Sequence, residues 1–457
     1  MSPWKLYPPL KKRENFRFPW LAILLVYLVV IAIAVVIRAL SWPDNKSVET
    51  MFFLQSVMGP FLIITSGLCY VGMFRAVEDY YHDVKRQCVE WDRYYLKKFA
   101  HKHLVIAGCS TISPVDNLAL QLLKLEGQFP LAPKTPLRIK MREDFEETKS
   151  QYIFNQLITP LADKIRNHPE AEVFYWLREG DNSTTEEMRR VLDSHGLRIK
   201  NEITQLSECP DYGVLSAMIE ESGNQWQFSR LFIIADLYND ETVKSMESAT
   251  AVFICKEYPL NEKPKPVYLY QPLTGDTDLT DSVPVYLAAE QTIIPKTLWY
   301  TGLAQTEKYP LFHALNEYKA AADRIDLELA FGEYTPGYRW LALGIATDAV
   351  RYAQGAQLIA ASEKGKPALT VLSAAQPAAL KVPEGDYVAM PLLWSFPALV
   401  MAIIAFVFSW GVYFGVPESW AVIIFIAIML VITLALGFLL TRFAVKSAEN
   451  DVEYPEE

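Results

Sequence analysis

Four long apolar runs dominate the hydrophobic pattern of the chain, two near each end. They contain no Asp, Glu, Lys, Arg or His, and they cover residues 18–37, 51–74, 391–416 and 419–441. A helix needs about 20 apolar residues to cross a hydrocarbon core about 30 Å thick, and uncharged runs in soluble core helices are commonly shorter than about 15 residues. The pattern therefore predicts four transmembrane helices, arranged as an N-terminal and a C-terminal hairpin.

Between the hairpins, short apolar runs alternate with amphipathic stretches. The runs typical of strands are residues 104–109, 172–177, 231–237, 251–255, 267–270 and 368–372. The stretches typical of helices are residues 115–126, 143–166, 185–195, 212–221, 284–291, 311–321 and 339–353. Apolar strands separated by helices indicate an α/β domain whose sheet is covered on both faces. The charged, aromatic segment 77–99 predicts a helix that continues out of the second span.

The segment NEKPKP, residues 261–266, is the best internal boundary of the central region, because its two prolines and alternating charges make a stiff, exposed connection. We expect two α/β halves to meet there. The predicted organisation is a tail and hairpin over residues 1–75, a first half over 76–260, a second half over 261–388, a second hairpin over 389–441, and an acidic tail over 442–457.

Lys and Arg are distributed unequally around the span ends. Eleven lie on the side that holds both termini and the central region, and two lie in the 38–50 connection on the other side. Cytoplasmic flanks carry the excess of Lys and Arg, so both termini and the central region are predicted to face the cytoplasm. The five cysteines fit a reducing compartment, because their number is odd and no C-x-x-C spacing occurs.

Composition and charge limit the functions that the chain can have. The net charge is −10, from 43 Lys and Arg against 53 Asp and Glu, which argues against nucleic acid as a partner. The uncharged spans are poorly suited to moving ions or protons, so a transporter or channel component is the third choice. Anchoring or assembly is the better interpretation, and a homo-oligomer is left open.

The glycine motifs of the chain do not predict a phosphate-binding site. The phosphate-loop pattern is approached once, from Gly332 to Gly337, but Tyr338 and Arg339 follow and Pro336 removes a backbone donor, which indicates a plain turn. Gly411 and Gly415 have the spacing of a helix-packing motif in membranes, either within the chain or between subunits.

Histidine and cysteine supply the candidate site residues. His101 and His103 lie two residues apart and would share one side of a strand, as a metal pair can, although a solvated start of the strand explains them more simply. Cys109, Cys209 and Cys255 are candidate nucleophiles that would need a base, and His313 is the candidate base. No cofactor is predicted.

The segment 103–126, HLVIAGCSTISPVDNLALQLLKLE, resembles the opening strand, loop and helix of thiolase and ketoacyl-synthase folds. That resemblance implies a duplicated α/β fold and a cysteine nucleophile with His partners. Beyond residue 195 the chain has only His313, so the resemblance implies that condensing activity has been lost. The whole layout also resembles inner-membrane accessory proteins of bacterial type VI secretion.

Two functions follow as hypotheses. The first is a non-enzymatic protein-binding factor at the bacterial inner membrane, acting as adaptor or immunity protein for a type VI secretion effector, with a secreted toxin or secretion component as its partner. The alternative is a membrane-bound enzyme that acts on a lipid or an acyl thioester.

The predicted orientation is tested by protease accessibility. Protease added outside intact spheroplasts should leave residues 76–388 uncut, and the same protease should digest them after lysis. Digestion of this region in intact spheroplasts would contradict the predicted topology.

Overall fold

The computed structural model divides the chain into two compact units. Unit 1 comprises residues 1–6 and 95–381, and unit 2 comprises residues 7–94 and 382–457. The structure describes residues 4–7, 19–43, 47–130, 137–141, 147–178, 180, 182–223, 225, 227–238, 243–258, 265–275, 278–363, 365–383, 390–415 and 419–453.

Helices and strands are numbered along the chain. The helices are α1 (Trp20–Leu40), α2 (Thr50–Phe53), α3 (Gly59–Ala100), α4 (Leu118–Leu122), α5 (Lys149–Ile158), α6 (Ala162–Arg166), α7 (Asn182–Ser194), α8 (Tyr212–Ser222), α9 (Leu279–Ala288), α10 (Gln305–Glu317), α11 (Leu327–Phe331), α12 (Gly337–Arg351), α13 (Met390–Tyr413) and α14 (Ser419–Glu453). The strands are β1 (His103–Ile112), β2 (Glu172–Leu177), β3 (Ile203–Gln205), β4 (Ser229–Asp236), β5 (Ser248–Cys255), β6 (Val267–Tyr270), β7 (Thr297–Thr301), β8 (Asp323–Asp326), β9 (Gln357–Glu363) and β10 (Lys366–Ser373).

Four helices are long and apolar enough to cross a membrane, as the sequence predicts. They are Trp20–Leu40, Thr50–Ala100, Leu392–Tyr413 and Trp420–Val452. The second includes a π-helical turn, Leu54–Met58, just before Pro60. Proline lacks the N–H that an α-helix needs at this position, which accounts for the irregular turn. The chain therefore has the elements of a membrane protein.

Close helix packing in unit 2 occurs at other glycines than the predicted pair. A Cβ placed on Gly72 would lie 3.0 Å from Trp394, and one on Gly437 would lie 3.1 Å from Ser395. Gly415 lies after the end of α13 with a φ of 91°, and no described atom lies within 4 Å of a Cβ placed on Gly411 or Gly415. Among the described residues the pair therefore makes no close helix contact, and a contact between subunits stays a prediction.

Unit 1 is built on one mixed sheet of ten strands in the order β3-β2-β4-β5-β1-β6-β10-β9-β7-β8. The order reads the same from both edges, because β6 to β10 occupy the positions of β1 to β5 in reverse. Orientations match as well. In the first half, β2 is parallel to β3 and β4, and β5 is antiparallel to β4 and β1. In the second half, β7 is parallel to β8 and β9, and β10 is antiparallel to β9 and β6. The antiparallel pair β1 and β6 joins the halves, so the unit is a duplication with a pseudo-twofold axis between these strands.

A short sequence repeat supports the duplication. Pro210-Asp211-Tyr212 opens α8 and Pro336-Gly337-Tyr338 opens α12, and each is followed by Leu and Ile at the same spacing. The two helices occupy equivalent positions, each between the third and fourth strands of its half.

Helices cover both faces of the sheet and give it two hydrophobic cores. The core on one face takes its apolar side chains from α5, α6, α7, α9 and α10. The other face is covered by α4, α8, α11 and α12. The predicted α/β class with two halves is confirmed.

Helix α12 is buried on almost all sides and crosses strands of both halves. A helix that is apolar all round belongs in a core, and α12 approaches the sheet closely at Gly344. A Cβ there would lie 2.3 Å from Cγ2 of Thr111, 3.1 Å from Cγ2 of Thr250 and 3.5 Å from Sγ of Cys109. Because glycine has a hydrogen atom in place of a side chain, Gly344 allows α12 to lie this close to β1.

The sequence predictions missed four strands and misjudged two helices. The missed strands are the short, polar β3 and β8, the short β7 and the alanine-rich β9. Polar residues and alanine favour strands weakly, whereas β7 was missed although its Thr, Trp and Tyr residues favour a strand. The predicted helix 143–166 is divided near Pro160 into α5, a 3-10 turn and α6, and its residues 143–146 lie outside the described residues. The predicted helix 115–126 shortens to α4. Of the boundary segment 261–266, residues 261–264 lie outside the described residues.

Gly344→Ala should destabilise unit 1, because the new methyl group has no space against Thr111. Overpacking of this kind costs about 1–3 kcal/mol, so we expect a lower melting temperature of the full chain in detergent. Thr111→Ala removes Cγ2 and serves as the matched rescue. Gly344→Ala should therefore lower the melting temperature less when Thr111→Ala is already present than it does in the wild type. Equal losses with and without Thr111 would contradict this packing.

Candidate functional site

The candidate site lies where one stripe of α12 faces the end of β1. Gly344, Asp348 and Arg351 are four and three residues apart, so they share one side of the helix. Gly344 contacts the region of Cys109 and Thr111 on β1. Asp348 and Arg351 follow at successive turns. We refer to Cys109, Asp348 and Arg351 as the thiol–carboxylate cluster.

Cys109 lies on a part of β1 that extends beyond its neighbour. β1 pairs with β5 as far as Ile112, but the described pairing with β6 covers only His103 to Ile106. Cys109 is half-buried in the structure, whereas the preceding residues Leu104 to Gly108 are buried. Its pKa is raised well above the ordinary value, first by burial and then by the negative charge of Asp348. The resting side chain is therefore a neutral thiol.

Asp348 is the carboxylate of the cluster. Burial raises its pKa to about 6, against the opposing effect of the Arg351 guanidinium. Nη1 of Arg351 lies 3.5 Å from Oδ1 of Asp348, and the two side chains are 16% and 27% exposed. A carboxyl group with a pKa near neutrality can both accept and return a proton. Asp348 follows Gly344 by one helical turn, and its charge acts on the pKa of the Cys109 thiol. A half-buried thiol near such a carboxylate has the components of base-assisted nucleophilic attack.

A second polar cluster fixes the other end of α12. The buried carboxylate of Asp236, at the end of β4, accepts from Nε of Arg178 at 2.5 Å and from the backbone N–H of Gly337 at 3.1 Å. A Cβ on Gly337 would lie 2.6 Å from Cβ of Asp236, so only glycine allows this approach. A carboxylate at a helix N-terminus is stabilising. This cluster holds α12 in place.

Cys209 belongs to that anchoring region. Its thiol donates to the carbonyl of Pro336 at 3.4 Å, and its own carbonyl accepts from Nη2 of Arg339 at 3.0 Å. Nε1 of Trp340 donates to the carbonyl of Pro210 at 2.8 Å. These bonds join the start of α8 to the start of α12, which gives Cys209 a packing role in the structure.

The other predicted site residues do not join the thiol–carboxylate cluster. Cys255 is buried at the end of β5. His313 is 59% exposed on α10, with Nδ1 3.8 Å from Glu317. Its helix covers the opposite face from α12 and follows β7, which stands four strands from β1, about 19 Å at the usual strand spacing. Of the three candidate cysteines, the structure therefore does not bring Cys109 together with His313.

His101 and His103 lie at the start of β1. Nε2 of His101 is 2.9 Å from the carbonyl of Glu290, and Nδ1 of His103 is 2.9 Å from the carbonyl of His101. Within the described residues, no group of three or more His, Cys, Asp or Glu side chains is arranged to hold a metal ion.

Asp348 and Arg351 were not identified from the sequence. They lie within the predicted helix 339–353, where a charged pair at a spacing of three looks like an ordinary solvated pair. The available signal was the all-round apolar character of the preceding turns, which places Asp348 and Arg351 at the end of a buried helix.

No family model and no curated protein matches the chain. Among solved structures, it is similar in fold to a ketosynthase complexed with its acyl-carrier protein, described as AntDE:AntF, at 9% identity and a TM-score of 0.44, covering 60% of this chain and 99% of that one. The oxazolomycin ketosynthase domain OzmH KS8 of Streptomyces albus JA3453 matches at 9% identity and a TM-score of 0.40, covering 62% and 100%. The ishigamide ketosynthase/chain length factor matches at 13% identity and a TM-score of 0.40, covering 59% and 99%.

These comparisons correct the first functional hypothesis. The prediction of a non-enzymatic adaptor or immunity protein is wrong, because the solved chains named above are described as ketosynthases. The resemblance to type VI accessory proteins is untested by them and stays a sequence prediction.

The raised pKa of Asp348 predicts a pH-dependent stability difference. Because the folded pKa of about 6 exceeds the ordinary 3.8, the folded state is favoured at low pH and loses stability as the pH rises from about 4 to about 6. Asp348→Asn lacks this loss, so its stability relative to the wild type should rise by about 2 kcal/mol between pH 4 and 7. Thermal unfolding of both full chains in detergent measures the difference.

The matched control is Asp193→Asn, an exposed aspartate on α7. The rise for Asp348→Asn should exceed any change that Asp193→Asn shows over the same pH range. A constant difference for Asp348→Asn would show that Asp348 titrates normally.

Proposed function

We propose that the chain is a membrane-anchored enzyme that acts on an acyl thioester or another activated acyl lipid, with Cys109 as the acyl acceptor. The observation that carries the proposal is the packing of α12 against β1. A Cβ on Gly344 would lie 3.5 Å from Sγ of the half-buried Cys109, and Asp348, a carboxylic acid of pKa about 6, follows one helical turn later. A neutral thiol becomes an effective nucleophile when an adjacent base removes its proton.

The proposed step is a thiol exchange. Sγ of Cys109 attacks the carbonyl carbon of the thioester while its proton passes to the carboxylate of Asp348. A new S–C bond forms, the bond to the original sulfur breaks, and Asp348 returns the proton to the leaving thiolate. No oxidant or cofactor is consumed. Arg351 acts as a positioning residue, because it pairs with Asp348 at 3.5 Å and opposes the rise of its pKa.

The membrane spans fit a substrate with an acyl chain. Four apolar helices would keep the catalytic unit near the bilayer, where acyl chains concentrate. The Lys and Arg distribution supports a position of unit 1 in the cytoplasm at a bacterial inner membrane. Thioester carriers and a reduced Cys109 both suit that compartment.

The direct test is acylation of the purified full chain in detergent by the butyryl thioester of N-acetylcysteamine. We expect one butyryl group on Cys109, located by peptide mass spectrometry. Cys109→Ala should abolish it, while the matched variants Cys209→Ala and Cys255→Ala should retain it. Label on another cysteine, or label that persists in Cys109→Ala, would refute the assignment.

The role of Asp348 is tested by the rate of the same reaction. The rate should rise with pH around a midpoint near 6, because Asp348 is a base only when ionised. Asp348→Asn should lower the rate by about 100-fold, the smaller end of general-base effects, and should remove this midpoint. A wild-type rate that depends only on an alkaline titration would contradict base catalysis by Asp348.

A further inference from the structure

The guanidinium of Arg351 has one edge that the described residues leave without an acceptor. Its Nε and Nη2 atoms are buried and make no hydrogen bond to any described residue. Only Nη1 approaches an acceptor, Oδ1 of Asp348 at 3.5 Å, which is a long contact. Nε–H and one Nη2–H lie in the guanidinium plane and point to the same side, so the unpaired edge is the fork that binds an oxyanion with two parallel hydrogen bonds.

Burial makes this unpaired fork unusual. A buried donor without an acceptor costs about 1–3 kcal/mol, and more when it is charged. Native structures leave few such groups, and each one needs an explanation. Among the described residues, Arg38 and Arg324 also leave Nε buried without an acceptor, but Arg351 alone leaves both Nε and Nη2 so. Other arginines of unit 1 have an acceptor for their Nε–H. Arg178 donates to Asp236 at 2.5 Å and Arg230 to Glu172 at 2.6 Å.

The fork belongs to the same stripe as the reactive thiol. Arg351 lies seven residues after Gly344, about 10 Å along the helix axis, and long helical side chains lean back toward the N-terminus. Its charge lowers the pKa of Cys109, which places the guanidinium within electrostatic reach of the sulfur. A ligand attached to Cys109 that extended about 10 Å along α12 would reach the level of the fork.

We infer that Arg351 binds an oxyanion of the substrate, so that the acyl group transferred to Cys109 carries a terminal carboxylate. The substrate class is then the half-thioester of a dicarboxylic acid. This inference rests on the proposed acyl transfer for the identity of the substrate, but the anion site itself does not. A phosphate on the thiol carrier has the same chemistry, and the experiments distinguish the two sources.

The anion site is tested without any enzymatic turnover by alkylating Cys109 with iodoacetate and with iodoacetamide. The two reagents have nearly the same shape and differ in charge. In each case Sγ displaces iodide, which leaves with the bonding electron pair, and the thiol proton goes to solvent or Asp348. The readout is the ratio of the two rate constants at Cys109, so that effects on thiol reactivity itself cancel.

Arg351→Met should lower the iodoacetate-to-iodoacetamide ratio by about tenfold, the scale of a hydrogen bond to a charged group. Arg351→Lys keeps the charge without the fork and should give an intermediate ratio. The matched control is Arg166→Met, which removes an exposed arginine that pairs with Asp163 at 2.7 Å and should leave the ratio unchanged. An equal ratio in the wild type and Arg351→Met would overturn the inference.

The source of the oxyanion is decided by comparing succinyl and butyryl thioesters of N-acetylcysteamine, which contain no phosphate. A wild-type preference for succinyl transfer that Arg351→Met loses supports a carboxylate on the acyl group. If inorganic phosphate protects Cys109 from iodoacetate while succinyl transfer shows no preference, the fork binds phosphate and the dicarboxylic assignment is overturned. If no thioester acylates Cys109 but the alkylation ratio still depends on Arg351, the proposed function fails and the anion site stands.

Discussion

The close approach of α12 to the central sheet is the constraint on which the rest of unit 1 depends. A helix buried on almost all sides can cross strands of both halves only if its side chains clear them, and Gly344 provides that clearance against Thr111 and Thr250. A side chain there would push the helix away from β1, and Asp348 and Arg351 would move away from Cys109. The packing of the core and the geometry of the candidate site therefore have the same cause.

The two ends of α12 differ in their electrostatics. At its N-terminus the carboxylate of Asp236 is held by Arg178 and by the backbone N–H of Gly337, so its charge is balanced within the protein. Near the C-terminus the balance is incomplete, because burial disfavours the charge of Asp348 and two nitrogens of Arg351 lack an acceptor among the described residues. The first arrangement fixes the helix. The second leaves groups whose protonation and pairing can change when a substrate binds.

Apolar pattern alone predicted the membrane helices, the α/β class and six of the strands, because these depend on local hydrophobic content. The duplication was less visible, since its sequence trace is a few residues at the start of α8 and α12. The candidate site was half predicted. Cys109 stood out as a thiol at the end of an apolar strand, whereas its partner was sought among histidines. Which side chain can act with Cys109 depends on the face of the sheet that each helix covers. The sequence does not reveal that α10 and α12 lie on opposite faces.

The account is tested most directly by a high-resolution cryo-EM map of the full chain in lipid nanodiscs after reaction with a succinyl thioester. It predicts continuous density from Sγ of Cys109 along α12, ending within hydrogen-bond distance of Nε and Nη2 of Arg351, with Asp348 beside the thioester. An acyl group on a different cysteine, or an unmodified Cys109 distant from the α12 stripe, would contradict it.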